Sequence, residues 1–228
     1  MAQLKKKVLG QVSGAVGDIV FRERNGINYV GLRPSSFMPG TDEASVQRRQ
    51  RFLIALKSGS MINSVSQLKS LWKAAAPSGL NAYNFIVKTN YQYVTSTTIS
   101  DLLKVVPDNG FGVTVADNNV DRTRVRTIVE PINTNTGIDI DLEPTIIMAC
   151  ILFLSSPVDE SVGAYSIISS VSPAQPTSLT EQLTFDAYLT NQQQMVFDKY
   201  QITKTFVAIV TLDSDDSPVH YSSTILLT

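Results

Sequence analysis

Asn25-Gly26 stands between two runs that read as strands, Asp18-Ile-Val-Phe-Arg-Glu-Arg24 and Ile27-Asn-Tyr-Val-Gly-Leu-Arg33. A type I′ turn needs positive φ at both central residues, and Asn-Gly meets that demand at little steric cost. The segment is therefore expected to be a β-hairpin with a two-residue loop. Such a loop fixes the register: Arg24 faces Ile27, Arg22 faces Tyr29, Phe21 faces Val30 and Ile19 faces Leu32. One face then carries Ile19, Phe21, Val30 and Leu32 and calls for a core. The other carries Arg22, Arg24, Tyr29 and Arg33, a basic surface with one aromatic on it. Upstream, Gly10, Gly14 and Gly17 predict an irregular or closely packed lead-in strand.

Helical signals follow. Thr41 is placed to cap a helix whose first turn holds Asp42 and Glu43, where the helix dipole favours anions. That helix is expected to run to about Lys57, stop near Gly59, and carry Arg48, Arg49 and Arg51. Met61, Val65, Leu68 and Trp72 fall three or four residues apart, the stripe of a second amphipathic helix ending near Ala75, before Pro77-Ser78-Gly79. A third, over residues 80–93, puts Leu80, Tyr83 and Val87 on one face.

From about residue 97 the texture becomes that of short strands: 111–116, 124–129, 137–142, 146–154, 164–171, 183–189, 205–212 and 221–227, most of them separated by Pro, Gly, Asn or Asp. Asn191–Tyr200 reads as a short helix crossing between strands. The expected fold class is α+β: an N-terminal β-hairpin with three helices over residues 1–94, then an Ig-like or fibronectin-like antiparallel β-sandwich over residues 95–228.

Charge divides along the same line. Residues 1–94 hold 13 basic and 4 acidic groups, and residues 95–228 hold 6 basic and 16 acidic. A basic half attracts phosphate backbones or acidic protein surfaces, and an acidic half on the same chain lets neighbouring copies attract head to tail. Lys5-Lys6-Lys7 opens a segment too polar for a signal peptide, and the longest apolar run, Ile146 to Leu154, is far short of the ~20 residues a membrane helix needs. The expectation is a soluble protein, cytoplasmic or in a virion.

The side chains that carry chemistry are sparse. With Cys150 and His220 each the single residue of its kind, an internal disulfide and a Cys/His zinc cluster are ruled out. Cys150 lies in the most apolar run and reads as a buried, inert thiol. A Ser–His–Asp site would have to use His220 with Asp213, Asp215, Asp216, Ser222 or Ser223. No nucleophile elbow accompanies them, so His220 reads as a surface or edge-strand residue. Asp139, Asp141 and Glu143 alternate with Ile138, Ile140 and Leu142. On a strand the three acids share one face, a pattern that suits calcium or glycoside chemistry but is explained by a solvated face opposite a buried one. Asp213-Ser-Asp215-Asp216 lacks the glycine and distal Glu of a calcium loop and reads as a turn. Gly10, Gly14 and Gly17 lead into a strand and lack the Gly-Lys-Ser/Thr ending of a phosphate loop. No catalytic, cofactor-binding or metal site is assigned.

Three groups of residues together resemble an uncharacterised family widespread in Bacteroidetes bacteria. They are Gly14-Ala-Val-Gly17 through Val20-Phe-Arg22, Asn25-Gly26, Tyr29-Val30 and Arg33-Pro34; Thr41 with Gln47, Arg48, Arg51 and Phe52; and Asn81-Ala-Tyr-Asn84 to Asn90, followed by Thr205-Phe-Val-Ala-Ile-Val and Tyr221-Ser-Ser223. The chain departs from the pattern at Glu23 and Arg24, where an aromatic and a lysine are expected. The resemblance implies the architecture and no activity. Similar glycine-hairpin starts on phages and mobile elements of these bacteria point to a virion setting.

The candidate functional residues are Arg22, Arg24, Tyr29, Arg33, Arg48, Arg49 and Arg51, because arginine forks suit carboxylates and phosphates alike. The reading that follows is a non-enzymatic structural or assembly protein, a homo-oligomer contacting other protein subunits, with a bacteriophage particle as its setting. The alternative is a nucleic-acid-binding accessory protein acting through the basic N-terminal residues. A carbohydrate-binding sandwich is disfavoured, since Trp72 lies on a predicted core stripe.

Overall fold

The computed structural model describes residues 2–3, 14–24, 27–33, 36, 38–132 and 134–227, with backbone alone for Ala2, Gln3, Arg24 and Thr134. Lys5–Lys7, Gly10, the Asn25-Gly26 turn and Pro34 lie outside them. The chain divides into two compact units, Met1–Val46 and Gln47–Thr228. In the second unit the helices and the long strands share one core.

The first unit is a small antiparallel sheet of β1 (Ala2–Gln3), β2 (Gly14–Val16), β3 (Ile19–Arg24) and β4 (Ile27–Leu32), in the order β1-β4-β3-β2. Arg24 pairs with Ile27, Arg22 with Tyr29, Phe21 with Val30 and Ile19 with Leu32, the register a two-residue loop dictates. The glycine-rich lead-in is itself a hairpin arm. Val16 pairs with Ile19 around Gly17-Asp18, and Gly17 takes the positive φ of +56° that the turn requires. A Cβ at Gly14 or Gly17 would meet nothing within 4 Å, so neither glycine marks a close approach. The apolar hairpin face expected to enter a core does not do so: Ile19 and Leu32 are exposed and Phe21 and Val30 half-buried.

α1 spans Glu43–Ser64. Asp42, not Thr41, caps it, its Oδ1 accepting the Ser45 N–H at 2.9 Å. The helix runs through Gly59, where a Cβ would stand 2.6 Å from Val87 Cγ2. Gly59 permits a close crossing; it does not end the helix. The break comes at Val65, extended at φ −82° and ψ 115°, before α2 (Ser66–Ala75). α3 (Ala82–Asn90) starts at Asn81, whose side chain accepts the Asn84 N–H, and ends in a 3₁₀ turn over Tyr91–Tyr93.

The strands of this unit are β5 (Val115–Val120), β6 (Arg124–Val129), β7 (Thr145–Pro157), β8 (Tyr165–Val171), β9 (Gln175–Pro176), β10 (Leu183–Tyr188), β11 (Tyr200–Leu212), β12 (Pro218–Tyr221) and β13 (Ile225–Leu227), with α4 (Asn191–Phe197) before β11. They form two antiparallel sheets. One has the order β10-β6-β5. The other has six strands, β12-β11-β7-β8, with β13 on β11 and β9 on β7. Residues 137–142 are not a strand. They form a turn in which Asp139 O accepts the Leu142 and Glu143 N–H groups, so the three acids do not share a face.

β7 decides the layering. Ile146 through Leu154 are buried without interruption, the mark of a strand covered on both faces. Alternation divides it between two cores. Ile147, Ala149, Ile151 and Phe153 join Ile54, Leu68, Trp72 and Ile86 of the helices. Met148, Cys150, Leu152 and Leu154 join Val125, Val129, Leu183 and Phe185 of the three-stranded sheet. The six-stranded sheet is therefore packed between helices and a second sheet. Trp72 anchors the helical side, its Nε1–H donating to Val105 O at 2.8 Å and its ring edge-on to Phe85. Burial pushes the Cys150 thiol pKa up and leaves it inert.

Candidate interaction surface

The seven candidate residues fall on both units. On the first, Arg22 and Arg33 are exposed and Tyr29 is half-buried. Arg22 and Tyr29 are direct cross-strand partners, and the Arg33 N–H closes the hairpin end on Asp18 O. Arg24 is described by its backbone alone, paired with Ile27. The opposite face of this sheet holds a row of apolar side chains. Val16, Ile19 and Leu32 sit side by side on adjacent strands through the Val16–Ile19 and Ile19–Leu32 pairs, with Val16 70% and Leu32 81% exposed.

On the second unit, Arg48 and Arg49 are exposed on α1, whereas Arg51 turns inward. Its Nε and Nη2 donate to Tyr91 O at 3.2 and 2.8 Å, and its guanidinium lies 4.4 Å over the Tyr91 ring. Arg51 thus ties α1 to the end of α3. Asn90 does a similar job, exchanging hydrogen bonds with the Lys104 backbone through both ends of its amide.

The basic character of residues 1–94 concentrates on the helices. Residues 47–94 contain seven Lys or Arg and no Asp or Glu. Lys69, Lys73 and Lys88 are exposed and have no ion-pair partner among the described residues. Lys57 lies 4.6 Å over the Tyr165 ring.

A polar cluster that sequence reasoning missed joins Glu143 to His220. Glu143 is buried and accepts from the Asp139 N–H at 3.2 Å, from the Thr211 hydroxyl and from His220 Nδ1 at 2.9 Å. Thr211 Oγ1 in turn accepts the His220 N–H at 3.0 Å. The two partners are separated by 77 positions in sequence, and their one sequence signal is a Glu that breaks from an exposed acidic alternation just before the most apolar strand. Carboxylate-oriented imidazole is a component of acyl-transfer sites, but such a site also needs a nucleophile on Nε2. Among the described residues the side-chain hydrogen bonds of His220 run through Nδ1. Ser222 is committed elsewhere, its Oγ accepting the Ile209 N–H and donating to Ser223 O. The cluster is a tie between the turn before β7 and the β11–β12 pair.

A cavity of about 250 Å³ opens elsewhere, among Asp101, Lys104, Asp108, Asn109, Ser223 and Thr224. Its charges are already matched, Lys104 to Asp108 and Asp101 to Lys204, each at 2.6 Å. Hydrogen bonding to Asp108 raises the Lys104 pKa. Among the described residues no group of three His, Cys, Asp or Glu could hold a metal ion, and no helix is long and apolar enough to cross a membrane.

Comparison of the chain with protein-family models, with curated proteins and with solved structures finds no match.

Proposed function

We propose that the protein is a non-enzymatic structural or assembly subunit that forms an oligomer of its own copies through the strands of its first unit, the bacteriophage particle being the setting the sequence resemblance suggests. The observation that supports this is the Val16–Ile19–Leu32 row. Three aliphatic side chains stand side by side on a sheet none of whose described residues joins either buried core. A sheet this small is marginal without a covered face, and a contiguous apolar surface on it suits a partner. A second copy supplies the same face by two-fold symmetry. The Arg22, Arg33 and Tyr29 face stays on the outside of such a pair, available to acidic surfaces. For the β region we infer an Ig-like or fibronectin-like sandwich formed by the three- and six-stranded sheets, with the helices as an added layer.

The mass of the full chain in solution tests the reading. An oligomer is expected, with Val16→Lys and Leu32→Lys shifting it towards the single chain. A concentration-independent monomer sinks it.

The alternative, a nucleic-acid-binding accessory protein, draws on the acid-free stretch 47–94. It requires binding to DNA or RNA that weakens steeply with salt.

A further inference from the structure

α1 carries apolar residues on two sides. Ile54, Ala55 and Ile62 are fully buried against the six-stranded sheet, yet Phe52 and Leu53 are 49% and 52% exposed. Arg49, Leu53 and Lys57 succeed one another at four-residue spacing and form one exposed row on the helix. The result is an apolar centre between cations, in a stretch of sequence without a single carboxylate.

The same unit holds a surface of the opposite kind. The turn before β7 exposes Asp139, Ile140, Asp141 and Leu142, with Leu142 69% exposed. The β11–β12 turn exposes Asp215 and Asp216. Glu143 fastens the two turns together through Thr211 and His220. Residues 137–146 and 211–223 contain no Lys or Arg.

These surfaces lie at opposite ends of the long sheet. Thr145 pairs with Leu212 at the acidic end, and Ser155 pairs with Tyr165 at the other. Ten strand steps separate Thr145 from Ser155, about 33 Å. Lys57 sits over Tyr165, and Ser64 Oγ is 3.3 Å from Ser169 Oγ, so α1 runs along β8 with its Arg49–Leu53 turn beyond the Tyr165 end. The β7–β8 connection at that end carries Asp159 and Glu160. Asp159 already accepts the Ser161 N–H.

Resting on the assembly reading above, we propose that the Arg49, Phe52, Leu53 and Lys57 face of one copy docks on the Asp141, Leu142, Asp215 and Asp216 end of a second copy. Like the core of a protein interface, the contact joins apolar centres inside a polar rim, and its charges are complementary. Two different patches at opposite ends make it heterologous, so it propagates head to tail into rings or filaments. Leu53 at the centre of the cationic row favours this occupant over a phosphate backbone, which offers an aliphatic side chain nothing to cover it.

Sedimentation velocity on the full chain at low salt tests the proposal with two variants, Arg49→Glu/Lys57→Glu and Asp141→Lys/Asp215→Lys, each first shown by circular dichroism to be folded. Self-association should be at least about tenfold weaker for each variant alone. An equimolar mixture should regain it, because the reversed charges match across the contact. Wild-type association in either variant, or a mixture that stays dissociated, overturns the head-to-tail contact and leaves the first-unit oligomer intact. A monomeric wild type overturns both. Loss of duplex DNA binding by the α1 variant with association unchanged overturns this proposal in favour of nucleic acid.

Discussion

Gly59 and Val87 meet so closely that an alanine Cβ at the first would stand 2.6 Å from Cγ2 of the second. The β-branched valine has little rotamer freedom with which to yield. Helix propensity favours Gly59→Ala by about 1 kcal/mol, and overpacking opposes it by ~1–3 kcal/mol. The account therefore predicts net destabilisation by Gly59→Ala, and a Val87→Ala partner that costs less in the Gly59→Ala background than alone. Urea unfolding of the four proteins in that cycle checks it.

Glu143 holds two chain segments from a buried position with three donors around it. Glu143→Ala strands those donors and should cost ~2–4 kcal/mol. His220→Ala should cost less, ~1–2 kcal/mol, because its ring is partly exposed and the other two donors survive. Thermal or urea denaturation measures both. Equal costs for the two would contradict the inward role given to Glu143.

Arg51→Ala removes two hydrogen bonds to Tyr91 O and the stacking on its ring. A loss of ~1–3 kcal/mol in stability is expected, with Arg51→Lys recovering only part because an ammonium lacks the fork. Solution mass should be unchanged. A change in oligomeric state at full stability would show that Arg51 serves the interface as well.

Asp121 closes the β5–β6 turn. Its Oδ1 accepts the Thr123 hydroxyl and the Thr123 and Arg124 N–H groups, and the Thr123 hydroxyl leads in lowering its pKa. A lowered folded-state pKa contributes stability that is fully present above the ordinary aspartate range and is lost as pH falls through the folded value. Asp121→Asn should thus be less stable than the parent at neutral pH, with the gap closing in acid. Urea midpoints against pH report it, and a gap constant into acid would contradict the assignment.

What the sequence made legible follows from how local each signal is. β3, β4 and β6 are short runs rich in strand-forming residues, so their positions are readable locally. The continuous apolar run at Ile146–Leu154 announced a strand, but burial on both faces, and with it the shared core of helices and sheets, depends on partners far along the chain. Gly59 carried the composition of a helix end, and only the crossing with α3 shows its use. Alternation over Asp139–Glu143 imitates a strand in sequence, but the turn exposes Asp139 through Leu142 alike and buries Glu143, whose partners Thr211 and His220 lie far along the chain. For Arg51, composition shows the charge, while the direction of the side chain is set by Tyr91, forty positions away.

Solution mass across a concentration series, by sedimentation velocity at low and high salt, tests the self-assembly claim most directly. The account predicts species larger than one chain that grow with concentration, shrink in high salt as the charged contact is screened, and retain a salt-resistant apolar pair. A single species with the mass of one chain at every concentration and salt would contradict it.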